Sequence, residues 1–379
     1  MKVLFVDQDI FGNEDMKEAF CMEGHTVILW SGKNGLDALS NPGKSLSVAL
    51  RQEIPDVVFS INYFPTVSDI CNREGIRYIS WVFDSPYVWL YSKTVFNSCN
   101  QVYVYEKELC LEFRDARVDT VHYLPLAVNS DRLDALLTSQ EAPNYQYDIS
   151  FVGSLYVEQD DPFERMISGL SDFARGYLDA VMAAQMKVQG YDFVEEVLGP
   201  VMDELHQAFP LDPEGMESRE YLYAQYVINR RLTSLERIDL LNAVAEKNKL
   251  DMFTDIKDFR IPNVCSHGHA DYFLEMPWIF NRSRINLNIS RRGIKSGIPL
   301  RAMDIMGSRG FLLSNFQADF LDSFVPGEDF VYYESRADLL EKTDYYLRHE
   351  DERQAIAQNG YAKVAAGHTC RHRVREMLS

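Results

Sequence analysis

Six short apolar runs recur through the first third of the chain: Val3–Val6, Val27–Trp30, Val57–Ile61, Tyr78–Phe83, Val102–Tyr105 and Val121–Leu126. They are rich in β-branched and aromatic residues and continuous rather than alternating, which is the pattern of strands covered on both faces of a parallel sheet. Helical stretches such as Glu14–Glu23 and Glu106–Arg114 separate them. Strand–helix alternation of this kind predicts an open, doubly wound α/β domain over residues 1–147.

A second unit of the same kind is predicted over residues 148–365. Its first strand ends in Ile149-Ser150-Phe151-Val152 and a Gly153-Ser154 turn, and further strands are predicted at Met252–Thr254, Ile285–Ile289, Phe311–Ser314 and Phe330–Tyr333. From Leu339 to Leu378 the pattern is helical, in two or three pieces. Residues 161–246 break the alternation and read as a helical insertion. Asp161-Pro162-Phe163-Glu164 supplies a cap, a proline suited to the first turn and a Glu three residues after the cap. Met166, Leu170, Phe173, Tyr177 and Val181 follow at helical spacing and are predicted to be core. Two further helices are expected, from about Phe193 to Phe209 and from Tyr221 to Asn248.

Composition narrows the function. The chain has 379 residues, 46% of them hydrophobic, and a formal charge of -19. Enough apolar residues are present for two cores. The negative charge argues against nucleic acid and against an anionic membrane surface as partners. No stretch approaches the ~18 apolar residues that would span a bilayer. The six cysteines stand singly, with no C-x-x-C, so a reduced, cytoplasmic protein is expected.

The opening loop excludes two other readings. Val6-Asp7-Gln8-Asp9 resembles the start of a receiver domain, but the third strand ends Ser60-Ile61-Asn62, without the phosphoacceptor Asp that a receiver needs. A dinucleotide site would need G-x-G-x-x-G after the first strand, and Gly12 stands alone there. What remains is a ligand crevice outside the carboxyl ends of the strands.

The charge pattern offers the best chemical clue. Between Glu275 and Asp304 there is no acid, yet Arg282, Arg284, Arg291, Arg292, Lys295 and Arg301 all lie there. The strand Ile285–Ile289 runs into a basic loop, and Gly297-Ile298-Pro299 is expected to open the next helix, with Pro299 in its first turn and Gly297 allowing close approach. A helix N-terminus with cations around it favours a phosphate. Asp304, two turns into that helix, is placed to accept hydrogen bonds from a sugar diol, as acids do with ribose in nucleotide sites. A diphosphate beside a ribose describes a nucleotide-sugar.

These residues carry a family resemblance. Gly297–Met306 followed by Gly310-Phe311-Leu312-Leu313-Ser314 resembles the donor-site segment of GT-B glycosyltransferases, in particular the spore-maturation CgeB-like group with its family-1/family-4-like C-terminal domain. The stretches Ile149–Ser154, His267-Gly268-His269 with Tyr272–Pro277, Ser283–Asn288, Phe324–Glu328 and the tail Glu352–Arg373 are similar to the same group, and Asp84-Ser85-Pro86 matches its "DSP" segment. The resemblance implies two Rossmann-like domains facing a cleft, and a last helix, within residues 366–379, that crosses back to the first domain. It implies a bacterial glycosyltransferase of hexosyl or N-acetylhexosaminyl type, retaining, acting without a metal or other cofactor. The donor is a nucleotide-sugar, of the UDP type, and the acceptor a cell-surface glycan or protein. Where retaining family-4 enzymes carry E-x7-E, this chain has Ser296 and Asp304. The donor-side residues that follow are Gly153, Ser154, His269, Tyr272, Arg292, Lys295, Gly297, Ile298, Pro299, Arg301 and Asp304.

Asp84, at the carboxyl end of a strand, is the candidate catalytic base, with a cap of the Ser85–Phe96 segment as its alternative role. Asp9, Gly12, Trp81, Ser85 and Tyr87 are the acceptor-side candidates. Asp9 or Asn13 is also a candidate cap for the first helix. Cys265-x-His267-x-His269 has metal-ligand residue types, but no second pair lies nearby, so a turn rather than a metal site is expected. His122 is expected to be a core histidine. Two other readings stay open on the same fold, a non-catalytic nucleotide-sugar-binding protein and a nucleotide-sugar epimerase, as does a homodimer.

Overall fold

The apolar runs of the first third become six parallel strands because each is covered on both faces. In the computed structural model, which describes residues 1–8, 10, 12–31, 42–137, 144–157, 160–256 and 261–379, they are β1 (Lys2–Asp7), β2 (Thr26–Ser31), β3 (Val57–Ile61), β4 (Arg77–Val82), β5 (Asn100–Val104) and β6 (Val121–Tyr123). Helices α1 (Asn13–Met22), α2 (Pro42–Glu53), α3 (Pro65–Glu74) and α4 (Lys107–Asp115) lie between them. The sheet order is β2-β1-β3-β4-β5-β6, every pairing parallel. Val3, Leu4, Phe5 and Val6 are all buried, as is every residue of β3. Burying each such side chain contributes ~1.5–3 kcal/mol relative to exposure.

The second unit begins with α5 (Ser130–Leu136) and β7 (Tyr147–Val152). The helical segment follows: α6 (Pro162–Ser168), α7 (Asp172–Gln185), α8 (Val194–Val197), α9 (Met202–Ala208), α10 (Arg219–Leu222) and α11 (Asn229–Ala245). Asp161 caps α6 by accepting from the Phe163 amide at 2.9 Å. Then come β8 (Leu250–Phe253), β9 (Val264–Gly268), α12 (Met276–Asn281), β10 (Ser283–Asn288), α13 (Leu300–Gly307), β11 (Leu312–Asn315), β12 (Val331–Tyr333), α14 (Arg336–Arg348) and α15 (Glu350–Gly367). This sheet is also parallel, in the order β12-β11-β10-β7-β8-β9. Gly360 of α15 seats that helix so close to the Asp329 carbonyl and the Met306 side chain of α13 that a Cβ has no room.

The last helix, α16 (Cys370–Leu378), groups with the first unit, which comprises Met1–Ser130, Glu214–Met216 and Gly367–Ser379; the second comprises Asp131–Pro213 and Glu217–Ala366. Val128 pairs with Thr369 in an isolated bridge. Arg373 donates to the Pro125 carbonyl at 2.7 Å. Glu23, at the end of α1, receives Arg371 at 2.7 Å and Arg375 at 2.6 Å. Hydrogen bonds from Arg375 and then Arg371 lower the Glu23 pKa to about 2 from 4.5. The stabilisation is therefore complete above pH 4.5 and lost as pH falls toward 2. Glu23→Gln is expected to lower the melting temperature at pH 7 and to make much less difference at pH 2, where the carboxylate is about half protonated. Thermal unfolding of both proteins across that range checks this, and an equal difference at every pH would contradict it.

Several sequence expectations need correction. The stretch expected as one helix from Phe193 to Phe209 is broken at Gly199–Val201, where Pro200 has no N–H to donate. The helix expected from Tyr221 contains a π turn at Tyr223–Ile228. Phe173 is 65% exposed rather than core. Cys265-x-His267 is not a turn but the edge strand β9. His122 sits exposed on the edge strand β6, because an edge strand leaves alternate side chains uncovered. The Ser85–Phe96 segment forms two 3-10 turns, Val88–Tyr91 and Lys93–Phe96, so there is no α-helix there for Asp84 to cap. Asn13 does not cap α1 either. Gly12, left-handed at φ 90°, occupies that position, and Asn13 donates to Asp7 Oδ1 at 2.7 Å.

Candidate functional site

In a doubly wound sheet, strands on either side of the first strand are reached by chain crossing opposite faces, and the loops part at that point to leave a crevice at the carboxyl ends. In the second unit the first strand is β7, and the switch lies between β7 and β10. The loops leaving them, Gly153–Tyr156 and Ile289–Pro299, therefore define the candidate site.

Arg237 of α11 ties these two loops together. Its guanidinium donates to the Ser154 carbonyl at 2.5 Å and to the Ile289 carbonyl at 3.0 and 2.5 Å. It lies 5.1 Å from the Tyr156 ring centre, with Arg230 at 5.1 Å and Arg291 at 5.9 Å from the same ring. Three cations thus gather around one aromatic ring at the switch point. Burial pushes the Arg237 pKa down, but an arginine stays charged at neutral pH. Arg230 and Arg237 could not be singled out from the sequence, because both lie on the insertion's long helix, far along the chain from either loop.

The β10 loop is held from inside. The Ser290 amide donates to Asn315 Oδ1 at 2.8 Å, and the Arg292 amide to Thr233 Oγ1 at 2.9 Å. A glycine is required at Gly293, which has φ 97° and where a Cβ would collide with the Gln225 side chain. Gln225 belongs to the π turn, whose carbonyl accepts from Arg291 Nη2 at 3.0 Å. A single-turn π bulge of this kind is common at functional sites. Pro299 is the N-cap of α13, one position before the first turn in which the sequence placed it. Ile298 and Gly297 are buried, and Lys295 is partly exposed. Lys295 lines a small pocket with Gly293, Asn315 and Gln317.

Arg292 requires the clearest correction. It is 9% exposed and its guanidinium grips Glu236 twice, at 2.8 and 2.7 Å, while Nη1 donates to the Val188 carbonyl at 2.6 Å. Its charge is neutralised by the buried Glu236 carboxylate, so it does not offer a net charge to a phosphate, whereas the guanidinium of Arg237 bonds only neutral carbonyls. The sequence window showed a concentration of cations but not the acid on another helix that neutralises one of them.

Asp304 is 5% exposed and accepts from Tyr272 Oη at 3.1 Å. It is thus a buried acid within α13, not a member of a solvated surface pair. Arg301, one turn earlier, lies 5.4 Å from the Phe280 ring centre; burial lowers its pKa and Asp304 opposes the shift. The structure brings Tyr272, Arg301 and Asp304 together. Gly153 and Ser154 border the switch point, with the Gly153 amide donating to the Phe253 carbonyl at 3.0 Å. His269 is exposed and pairs with Asp255 at 2.5 Å. Ser296, where the first acid of E-x7-E would stand, is buried, and its carbonyl accepts from the Asp319 amide.

In the first unit the switch lies between β1 and β3. Asn62, left-handed at φ 60° at the end of β3, donates to Asp84 Oδ2 at 2.8 Å and accepts from the Phe83 amide at 2.8 Å. It fixes an otherwise exposed carboxylate. Ser85 Oγ donates to Glu106, and Tyr87 Oη to the Tyr63 carbonyl at 3.0 Å. Gly12 lies against Phe83, where a Cβ would approach within 2.8 Å. Trp81 is not an acceptor-side residue: it is fully buried and its indole donates to the Leu124 carbonyl at 3.2 Å. Asp9 lies outside the described residues.

Residues 237–379 match the family model described as "Glycosyl transferase-like". Sucrose-phosphate synthase from Thermosynechococcus elongatus superposes with a TM-score of 0.58 at 8% identity, over 100% of this chain and 98% of that one. A glycosyltransferase from Rickettsia africae gives 0.57 at 10% identity, over 100% and 96%. The Anabaena protein HepE, in complex with UDP-glucose, gives 0.54 at 10% identity, over 100% and 99%. The fold is GT-B. At these identities the likeness to solved structures shows the fold alone. No curated protein matches the chain by sequence. Of the two strands at the switch of the second sheet, β10 lies within the residues that match the family model and β7 precedes them. Among the described residues no helix is long and apolar enough to cross a membrane.

Proposed function

We propose that this protein is a glycosyltransferase that moves a sugar from a nucleotide-sugar, of the UDP type, to a cell-surface glycan or protein. The observation that carries the reading is the cluster of Arg230, Arg237 and Arg291 around Tyr156 at the β7/β10 switch. Cations fixed there stabilise the charge that develops on a departing diphosphate, and the N-terminus of α13 adds to them. Transfer accordingly proceeds without a divalent metal. Asp304, buried and oriented by Tyr272, holds the ribose diol. Asp84, fixed by Asn62, is the candidate base for the acceptor hydroxyl, with Gly12, Ser85 and Tyr87 on the acceptor side. The HepE complex with UDP-glucose supports the donor class.

The test is incubation with a panel of nucleotide-sugars, with chelator present and no acceptor. Slow release of nucleoside diphosphate and free sugar is the expected result. Conversion to an isomeric nucleotide-sugar would show an epimerase, and binding without turnover a non-catalytic protein.

Asp304→Asn keeps the shape of the side chain and removes its charge. A hydrogen bond to a charged group contributes ~1.5–3 kcal/mol, so donor affinity is expected to fall about tenfold or more by calorimetry. A 2′-deoxy donor should lose much less in the variant than in the parent. Equal losses for both donors would remove Asp304 from the ribose site.

A further inference from the structure

Away from the β7/β10 switch, the other half of the second sheet carries a group of side chains that donor binding does not use. β8 and β9 are parallel, with Asp251 opposite Cys265 and Met252 opposite Ser266, and the register shifts at His267, so that Phe253 stands opposite Gly268. Cys265 pairs with Asp251, and the shift at His267 leaves its ring against the Asp251 carboxylate. One ligand atom from each of the three lies within 4.8 Å of the others. His267 Nε2 is 2.7 Å from Asp251 Oδ1. The His267 ring stacks on Phe253, centres 4.6 Å apart and planes 14° apart, which fixes its orientation. Asp251 is 2% exposed, and its second oxygen, Oδ2, is buried without a hydrogen-bond partner. A buried carboxylate oxygen left without a donor is costly and calls for an explanation. A cation supplies one.

We propose that Asp251, Cys265 and His267 form a binding site for a thiophilic divalent cation of the Zn²⁺ class. Thiolate and imidazole together select Zn²⁺ or Co²⁺ over Mg²⁺ and Ca²⁺. Metal–sulfur and metal–nitrogen distances of about 2.3 and 2.0 Å place ligand atoms of a tetrahedral site about 3–4 Å apart, so modest rotamer adjustment from the separations seen here closes it. On binding, the Cys265 thiol loses its proton to solvent, the Nε2 proton that His267 shares with Asp251 is released to solvent while the ring keeps its proton on Nδ1, and the freed Nε2 lone pair, the thiolate and a carboxylate oxygen ligate the metal. No electron is transferred. Three protein ligands leave a position open, and His267 borders a pocket of about 540 Å³ that Tyr147 and Trp278 also line, so the open position has space for water or a small ligand. The site lies two strands from the sugar-transfer site and is independent of the metal-free transfer proposed there.

The test uses the full chain stripped with a chelator. Titration with Co²⁺ is expected to give a thiolate-to-cobalt charge-transfer band and tetrahedral ligand-field bands that saturate at one equivalent and disappear on adding Zn²⁺. The charge-transfer band should vanish in Cys265→Ser, a change at an exposed position. Asp251→Asn should weaken binding at least tenfold. In the parent protein Zn²⁺, but not Mg²⁺, should protect Cys265 from alkylation while leaving the exposed Cys21 reactive. This last measurement stands even if the buried Asp251 variant fails to fold. Absence of the band in the parent, its persistence in Cys265→Ser, or unchanged alkylation of Cys265 with Zn²⁺ would overturn the proposal.

Discussion

The Arg237→Ala variant is expected to bind a nucleoside diphosphate on the order of tenfold to a hundredfold more weakly, with nucleoside binding nearly unchanged. An interaction with a charged group contributes ~1.5–3 kcal/mol, and in the proposed reading the charge of Arg237 acts on the phosphates and not on the base. The same guanidinium bonds the carbonyls of Ser154 and Ile289, so the variant also loses the clasp between the two site loops. Arg237→Lys separates the effects. A lysine keeps the charge but is a single point of donation, so it should restore part of the diphosphate affinity without restoring the clasp. Calorimetry with nucleoside, monophosphate and diphosphate, beside thermal unfolding, reads both. Equal loss for all three ligands would make Arg237 purely structural and would remove the observation on which the proposed function rests.

Arg292→Ala should be the most destabilising single change near the site, by ~3–5 kcal/mol, because it strands Glu236 as a buried charge without its partner. The pair is well enclosed, with side chains 10% and 7% exposed. The Val188 carbonyl also loses a donor. Replacing both partners together, Arg292→Met with Glu236→Leu, should recover most of the loss, since a packed apolar pair replaces a desolvated ionic one at little net cost. Urea unfolding of the parent, both single variants and the double variant measures this. A single-variant loss under ~1 kcal/mol, the range of surface pairs, would show that solvent reaches the pair.

The strands were largely legible because their burial on both faces is written into the chain as unbroken apolar runs. β9 was not, since an edge strand with exposed Cys265, Ser266 and His267 carries no such run. The donor loop was legible as strand, basic loop and helix, but its internal wiring was not. Gly293 needs its freedom because of the π turn that packs against it, and nothing near Gly293 in the sequence announces that turn. Arg292, expected at the donor site, and Arg237, not expected there, changed places for a related reason. Where a cation ends up depends on what other elements bring to it: for Arg292 that is the Glu236 carboxylate, and for Arg237 the carbonyls that follow β7 and β10. Trp81 shows the same limit. It lies at the end of a strand, where site residues gather, yet its indole bonds the Leu124 carbonyl inside the core.

The return of α16 to the first unit has a consequence for synthesis. Ribosomes deliver β1 through β6 early, but α1 acquires its ion pairs with Arg371 and Arg375 only after the whole second unit has been translated. Until then the nascent first unit carries an uncovered flank. A premature stop just after Gly367 would therefore injure the half of the protein made first and leave the half made last nearly intact.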